Sequence, residues 1–107
     1  MNTCSNRHPS IINLRPAKTL FALGKIVATP GAVEMLKAHE LSPFDFISRH
    51  WQGDWGDLDD EDIKANQAAL RYCTRIFSSY RIDADTKLWV ITEADRSSTT
   101  LLLPDEY

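Results

Sequence analysis

The chain has 107 residues, 43% of them hydrophobic, which is enough for one buried core and too little for two ordinary domains. Twelve basic against fifteen acidic residues leave a formal charge of −3, so phosphate backbones meet no general attraction and direct nucleic-acid binding is disfavoured. The two cysteines, Cys4 and Cys73, show no metal-ligand spacing, and the N-terminus has neither a signal-peptide core nor a membrane-length apolar run. Reduced thiols, a cytoplasmic location and no membrane contact are the expectations.

Residues 1–18 are broken by Pro9 and Pro16 and predict a flexible tail, with Ile11, Ile12 and Leu14 available for an edge strand. Residues 19–107 are then one α+β domain. Over residues 20–28 the run LFALGKIVA is apolar on both alternating faces apart from Lys25, which predicts a strand covered for much of its length, with Gly24 at a bulge or a close approach. Thr29-Pro30 starts a helix with Thr29 as N-cap and Pro30 where a missing N–H is harmless; Ala32, Val33, Met35 and Leu36 supply its apolar side. Ser42 and Asp45 resemble a capping box for a second helix, and Phe44, Ile47 and Trp51 fall at core-facing spacing.

The stretch WQGDWGDLDDEDIKANQAAL, residues 51–70, is a loop that empties into a helix N-terminus. Carboxylates suit that place, because the first turn has unpartnered N–H groups and partial positive charge; Asp59 or Asp60 is the expected N-cap. The same residues, Asp54, Asp57, Asp59, Asp60, Glu61 and Asp62 with Trp55 as an exposed aromatic anchor, are the candidate protein-binding surface. Trp51 is the expected core anchor. In the third helix Ile63, Asn66, Leu70 and Cys73 share one side, and a buried Asn66 requires hydrogen-bond partners. Beyond it the period changes, and strands are expected near 75–82, 87–92 and 99–103. The fold expected is α+β, an antiparallel sheet of about four strands with two to three helices on one face.

The acids fail the calcium-loop pattern, since from Asp57 the sixth position is Asp62 rather than glycine, and no metal or other cofactor is expected. Glu93, Asp95 and Arg96, with Asn66, form an alternative site, with a charged hairpin turn as the plainer account. His8, His39 and His50 have no evident nucleophile partner, and Ser78 and Ser79 lack an elbow glycine, so no hydrolytic triad is expected. Tryptophans set among aspartates do not make a base-stacking groove.

Together WQGDWGDLDDEDIKAN and LWVITEADRSSTTLLLPDEY resemble a family of small bacterial plasmid-related proteins found on plasmids and other mobile elements, over residues 20–107. The resemblance implies a setting in mobile DNA and no particular activity. The leading expectation is a non-enzymatic protein that binds a host complex, inhibiting a defence system of the CRISPR or restriction type through the acidic tryptophan loop. Its alternatives are a small enzyme or nucleic-acid-processing accessory using Glu93, Asp95 and Arg96, and a metal-regulated module.

Overall fold

The computed structural model describes residues 19–107; the tail and candidate edge strand expected over residues 1–18 lie outside the described residues. In chain order the elements are β1 (Lys25–Ala28), α1 (Pro30–Ala38), α2 (Pro43–Trp51), α3 (Asp60–Tyr72), β2 (Ile76–Arg81), β3 (Lys87–Thr92), β4 (Ser98–Leu102) and a 3-10 turn, η1 (Pro104–Glu106). The class is α+β, as expected. The sheet has the order β1-β4-β3-β2, in which β2, β3 and β4 form an antiparallel meander and β1 pairs with β4 in parallel. It is therefore mixed rather than antiparallel throughout. The long connection from β1 through the helices and the hairpins returns the chain to the β1 side in the same direction, which a tight turn cannot do.

The strand expected over residues 20–28 is shorter than its apolar run. Gly24 takes φ +67, and a Cβ there would lie 2.4 Å from the Ser97 carbonyl, so close packing is what it serves. Before it, Phe21 and Leu23 leave the sheet to enter the core; after it, β1 is an edge strand with Ile26 and Val27 exposed, not covered.

Local chemistry sets the helix starts. Thr29 Oγ1 accepts the Ala32 N–H, Pro30 follows it, and the Glu106 carboxylate accepts from the Thr29 hydroxyl and from the Gly31 and Leu103 N–H groups, tying the C-terminus to α1. Ser42 caps α2 through the Phe44 N–H, short of the capping box expected with Asp45. The buried face of α2 is Phe46, Ile47 and His50; Phe44 is 66% exposed, and Trp51 is half-buried with its Nε1 donating to the Phe21 carbonyl. Asp59, not Asp60, caps α3 by accepting from the Asp62 N–H at 2.9 Å. Cys73 ends α3 in the left-handed region and is disulfide-bonded, against the expected reduced thiol. Such bonds are rare in reducing compartments, so cysteine usage no longer argues for an intracellular location.

Alternation along the strands gives the sheet two unlike faces. The inner face carries Ile76, Ser78 and Tyr80 of β2, Leu88, Val90 and Thr92 of β3, and Thr99 and Leu101 of β4, all of them buried, in a core to which α1, α2 and α3 each contribute side chains. The outer face carries Phe77, Ser79, Trp89, Ile91 and Leu102.

Candidate functional site

The organising loop is built against the edge of β2. The outward Ser79 N–H donates to the Trp55 carbonyl (3.1 Å), and the Ser79 carbonyl accepts from the Asp57 N–H (2.6 Å), so residues 55–57 lie along β2 as a parallel bridge. Gly56 makes this possible at φ +77, because a Cβ would sit 2.2 Å from the Ser79 oxygen. One step along, Asn66 satisfies Phe77, its Nδ2 donating to the Phe77 carbonyl (2.6 Å) and its Oδ1 accepting the Phe77 N–H (3.0 Å). Loop and helix together occupy backbone groups that would otherwise invite pairing by another chain. Asn66 is thus a satisfied structural amide.

Trp55 is 8% exposed and packs on Phe21 and His50, which corrects its expected role as an exposed anchor. Its flanking residues hold it inward: Asp54 Oδ2 accepts from Arg49 Nε (2.7 Å), Asp54 Oδ1 from the Gly56 N–H, and the Asp54 carbonyl from the Tyr80 hydroxyl (2.6 Å). The Arg49 hydrogen bond, with that of Gly56, holds the Asp54 carboxyl below its ordinary range.

Beneath the loop lies a polar line that sequence spacing did not show. His50 Nδ1 is 2.5 Å from Ser78 Oγ and Nε2 is 2.9 Å from Thr92 Oγ1; Thr92 Oγ1 is 2.7 Å from Thr99 Oγ1, which donates to the Leu23 carbonyl at 2.7 Å. Each hydroxyl has one hydrogen, so the directions follow. Thr99 spends its hydrogen on Leu23, Thr92 donates to Thr99, His50 donates from Nε2 to Thr92, and Ser78 donates to Nδ1. His50 is held as the neutral Nε2–H tautomer, and burial, with the nearby Arg96 charge, pushes its pKa down to about 3. A serine and a histidine do meet here, but both are fully buried and the third group is a hydroxyl rather than a carboxylate. The line ties α2 to β2, β3 and β4 inside the core.

Glu93, Asp95 and Arg96 occupy the β3–β4 turn but do not converge. Arg96 is 1% exposed; its Nη1 donates to the carbonyls of Thr74, Glu93 and Ala94 and its Nη2 to that of Ala69. It locks the end of α3 to the turn. Glu93 pairs outward with Arg75 at 3.6 Å, and Asp95 accepts the Ser97 N–H. The expected surface hairpin holds for the two acids, whereas the arginine is a buried clamp.

What the acids do form is the rim of an open cleft. It has a volume of about 640 Å³ and is lined by Asp57, Asp59, Asp62, Lys87, Phe77 and Trp89 among others. Asp57 also pairs with Arg81 at 3.3 Å, while Asp59 and Asp62 enter none of the ion pairs among the described residues. The aromatic at this rim is Trp89, half-buried and set edge-on to Phe77 with centroids 5.0 Å apart, not Trp55. Its signal in the sequence was the alternation of β3, which puts Trp89 on the face opposite Leu88 and Val90. Among the described residues no group of three or more His, Cys, Asp or Glu is arranged to hold a metal ion, and no helix is long and apolar enough to cross a membrane.

The far side of the hairpin carries a titrating contact. His39 Nδ1 faces the Met35 carbonyl (2.9 Å) and Nε2 faces Asp83 Oδ2 (3.0 Å). A carbonyl and a carboxylate only accept, so both ring nitrogens carry hydrogen and the imidazolium is the form that fits. The Met35 carbonyl first and Asp83 second raise the His39 pKa, and Asp83, held by the Asp85 N–H and then by His39, is pulled down to about 2. Stability from His39 is fully present below its unfolded value and lost as pH rises through the raised folded value. Asp83→Asn is expected to lower the His39 pKa in an NMR titration; an unchanged value would show that Asp83 does not hold the ring.

No family model, curated protein or solved structure matches the chain. Fold and site define its class: a small mixed-sheet α+β domain whose buried polar line is structural and whose open, chemically mixed surface is an acidic-rimmed aromatic cleft.

Proposed function

We propose that this is a non-enzymatic binding protein of a mobile genetic element, one that engages a host protein complex of the CRISPR or restriction type through its acidic face. The resemblance to plasmid-related proteins supports the setting. The observation that carries the binding reading is the cleft in which Asp57, Asp59 and Asp62 stand beside Phe77 and Trp89. An aromatic floor with a charged rim is the make-up of a protein contact, since the aromatics supply desolvated area and the acids steer a basic partner. Asp60 and Glu61 extend that charge around the first turn of α3. Such a partner works in the cytoplasm, which the proposal therefore requires.

The test is a pull-down from host lysate followed by kinetics on the captured complex, with melting measured on the same variants. Asp62→Asn is expected to slow association and flatten its salt dependence with little change in melting. Asp59→Ala is expected to cost about 0.5–2 kcal/mol of stability because it removes the α3 cap. Unchanged association for Asp57→Asn and Asp62→Asn would remove the acidic face from the contact.

A further inference from the structure

Alternation along β2 turns Ser78 and Tyr80 into the core and Ser79 out toward the cleft, which it lines. The residue is nonetheless only 4% exposed. Its N–H and its carbonyl are both spent, on the Trp55 carbonyl and the Asp57 N–H, whereas its hydroxyl enters none of the hydrogen bonds among the described residues. That oxygen is not sealed from solvent either, so what it opens on is the cleft. A hydroxyl with one hydrogen and two lone pairs, this deeply set, ordinarily finds a partner within the fold. Here only solvent or a ligand can supply it.

The charges around the hydroxyl narrow the class of ligand. Three carboxylates, Asp57, Asp59 and Asp62, face two cations, Lys87 in the lining and Arg81 in its pair with Asp57, so one formal negative charge is left over. The occupant that balances it is a single cation. Asp57 has spent one oxygen on Arg81 and Asp59 one on the Asp62 N–H, whereas the Asp62 carboxylate enters no ion pair or hydrogen bond among the described residues. The open acceptors are therefore Asp62 on α3, the second Asp59 oxygen before it and the Ser79 hydroxyl on β2, set about the rings of Phe77 and Trp89. A planar guanidinium can spread its N–H donors over acceptors on separate elements and is weakly enough hydrated to lie on an aromatic surface. An ammonium is a compact, strongly hydrated point charge, which suits this arrangement less well.

We infer that the cleft takes one arginine side chain of the protein partner, its guanidinium lying on Phe77 and Trp89, pairing with Asp62 and donating to Ser79 Oγ. Lys87 limits the site to one cation, because a second would meet like charge. The source of the arginine rests on the proposed function, whereas the affinity of the cleft for a guanidinium does not.

The experiment titrates N-acetyl-arginine methylamide, and its lysine and citrulline counterparts, into the full chain while backbone and indole N–H resonances are followed by NMR. Saturable shifts centred on Phe77, Ser79 and the Trp89 indole are expected with the arginine probe, with several-fold weaker binding of lysine and none of citrulline, which lacks the charge. No saturable shift, equal binding of arginine and lysine, or shifts centred on another surface would overturn the inference. Ser79→Ala should weaken arginine several-fold and narrow its lead over lysine, a change that losing a carboxylate's steering would not give; an arginine affinity it leaves unmoved would also overturn the site. Asp62→Asn should weaken both cations and Lys87→Met should tighten both. Melting of each variant is the folding control, and a gain in affinity for Lys87→Met cannot arise from misfolding. The two readings also fail separately. Arginine bound in the cleft with partner association unchanged by Asp62→Asn would keep the guanidinium site and remove the acidic-face function; association slowed by Asp62→Asn with no arginine binding would do the reverse.

Discussion

Arg96→Ala is expected to lower stability by about 4 kcal/mol or more, the largest effect of any single substitution considered. The guanidinium is 1% exposed and supplies hydrogen to four carbonyls drawn from α3, the turn after it and the β3–β4 turn. Two of those oxygens have other donors, since Ala69 also accepts from the Cys73 N–H and Glu93 from the Arg96 N–H. The Thr74 and Ala94 carbonyls depend more heavily on the side chain, and an unsatisfied buried acceptor costs about 1–3 kcal/mol. Removing the side chain also leaves a cavity beside Phe21, whose ring lies 5.9 Å from the guanidinium carbon. Arg96→Lys tests the geometry, because an ammonium keeps the charge but has no planar fork to reach α3 and the turn together. Denaturant unfolding should place it between the parent and the alanine variant. A lysine variant as stable as the parent would show that charge, not the fork, does the holding.

The second large effect is acid destabilisation that begins unusually early. His50 has a folded pKa of about 3 against an ordinary value of 6.5, so the folded state keeps it neutral where the unfolded chain takes up a proton. A depressed folded pKa contributes stability that is fully present above 6.5 and lost as pH falls toward the folded value, by up to about 1.4 kcal/mol per pH unit. The groups facing the ring cannot relieve this. Ser78 and Thr92 are neutral, Phe21 and Trp55 close the aromatic sides at 5.3 and 5.9 Å, and Arg96 adds like charge. Between pH 6.5 and roughly 4.5 few other groups change state. His39, with its raised value, contributes the opposite slope above 6.5, and Asp54, Asp83, Asp95 and Glu106, all lowered, lose their contributions at more acid pH. Melting temperature should therefore fall across that window for the parent. His50→Gln, which does not titrate, should be less stable at neutral pH yet flat through the same range. A parent curve that is also flat there would mean that the fold admits a proton at His50 without cost.

Beyond these effects, the difference between the legible and the hidden parts of the molecule is one of distance along the chain. Thr29 and Ser42 could be placed as caps, and the third narrowed to Asp59 or Asp60, because a cap binds an N–H two or three residues away and local composition is nearly all the physics requires. The hairpins were readable for the same reason. Alternation across residues 87–92 and turn chemistry on either side locate β3 where it is found, and β2 and β4 fall within a residue of the expected bounds. The acids of the loop were legible as acids near a helix start, and that is the part of the candidate site the sequence by itself determined.

Pairings made across the fold decided the rest. His50 meets Ser78 and Thr92, 28 and 42 positions on, and Arg96 reaches back 27 to Ala69; no local period encodes a buried polar group's distant partner. Trp55, expected to be exposed, is buried, and Trp89, for which no role was expected, lines the cleft, because exposure depends on what lies opposite: Asp54 and Gly56 turn Trp55 into the core, while Trp89 stands on the sheet face opposite Leu88 and Val90. The parallel placement of β1 likewise needed the tertiary structure, since four residues of exposed edge carry no mark of direction and only the length of the returning chain fixes it. Sequence determined the helix starts and the bounds of β2, β3 and β4, because those choices are settled within a few residues, whereas the start of β1 was set by the distant Ser97 carbonyl. Which side chains are buried, and which carboxylates face an open cleft, was settled by how those elements close on one another.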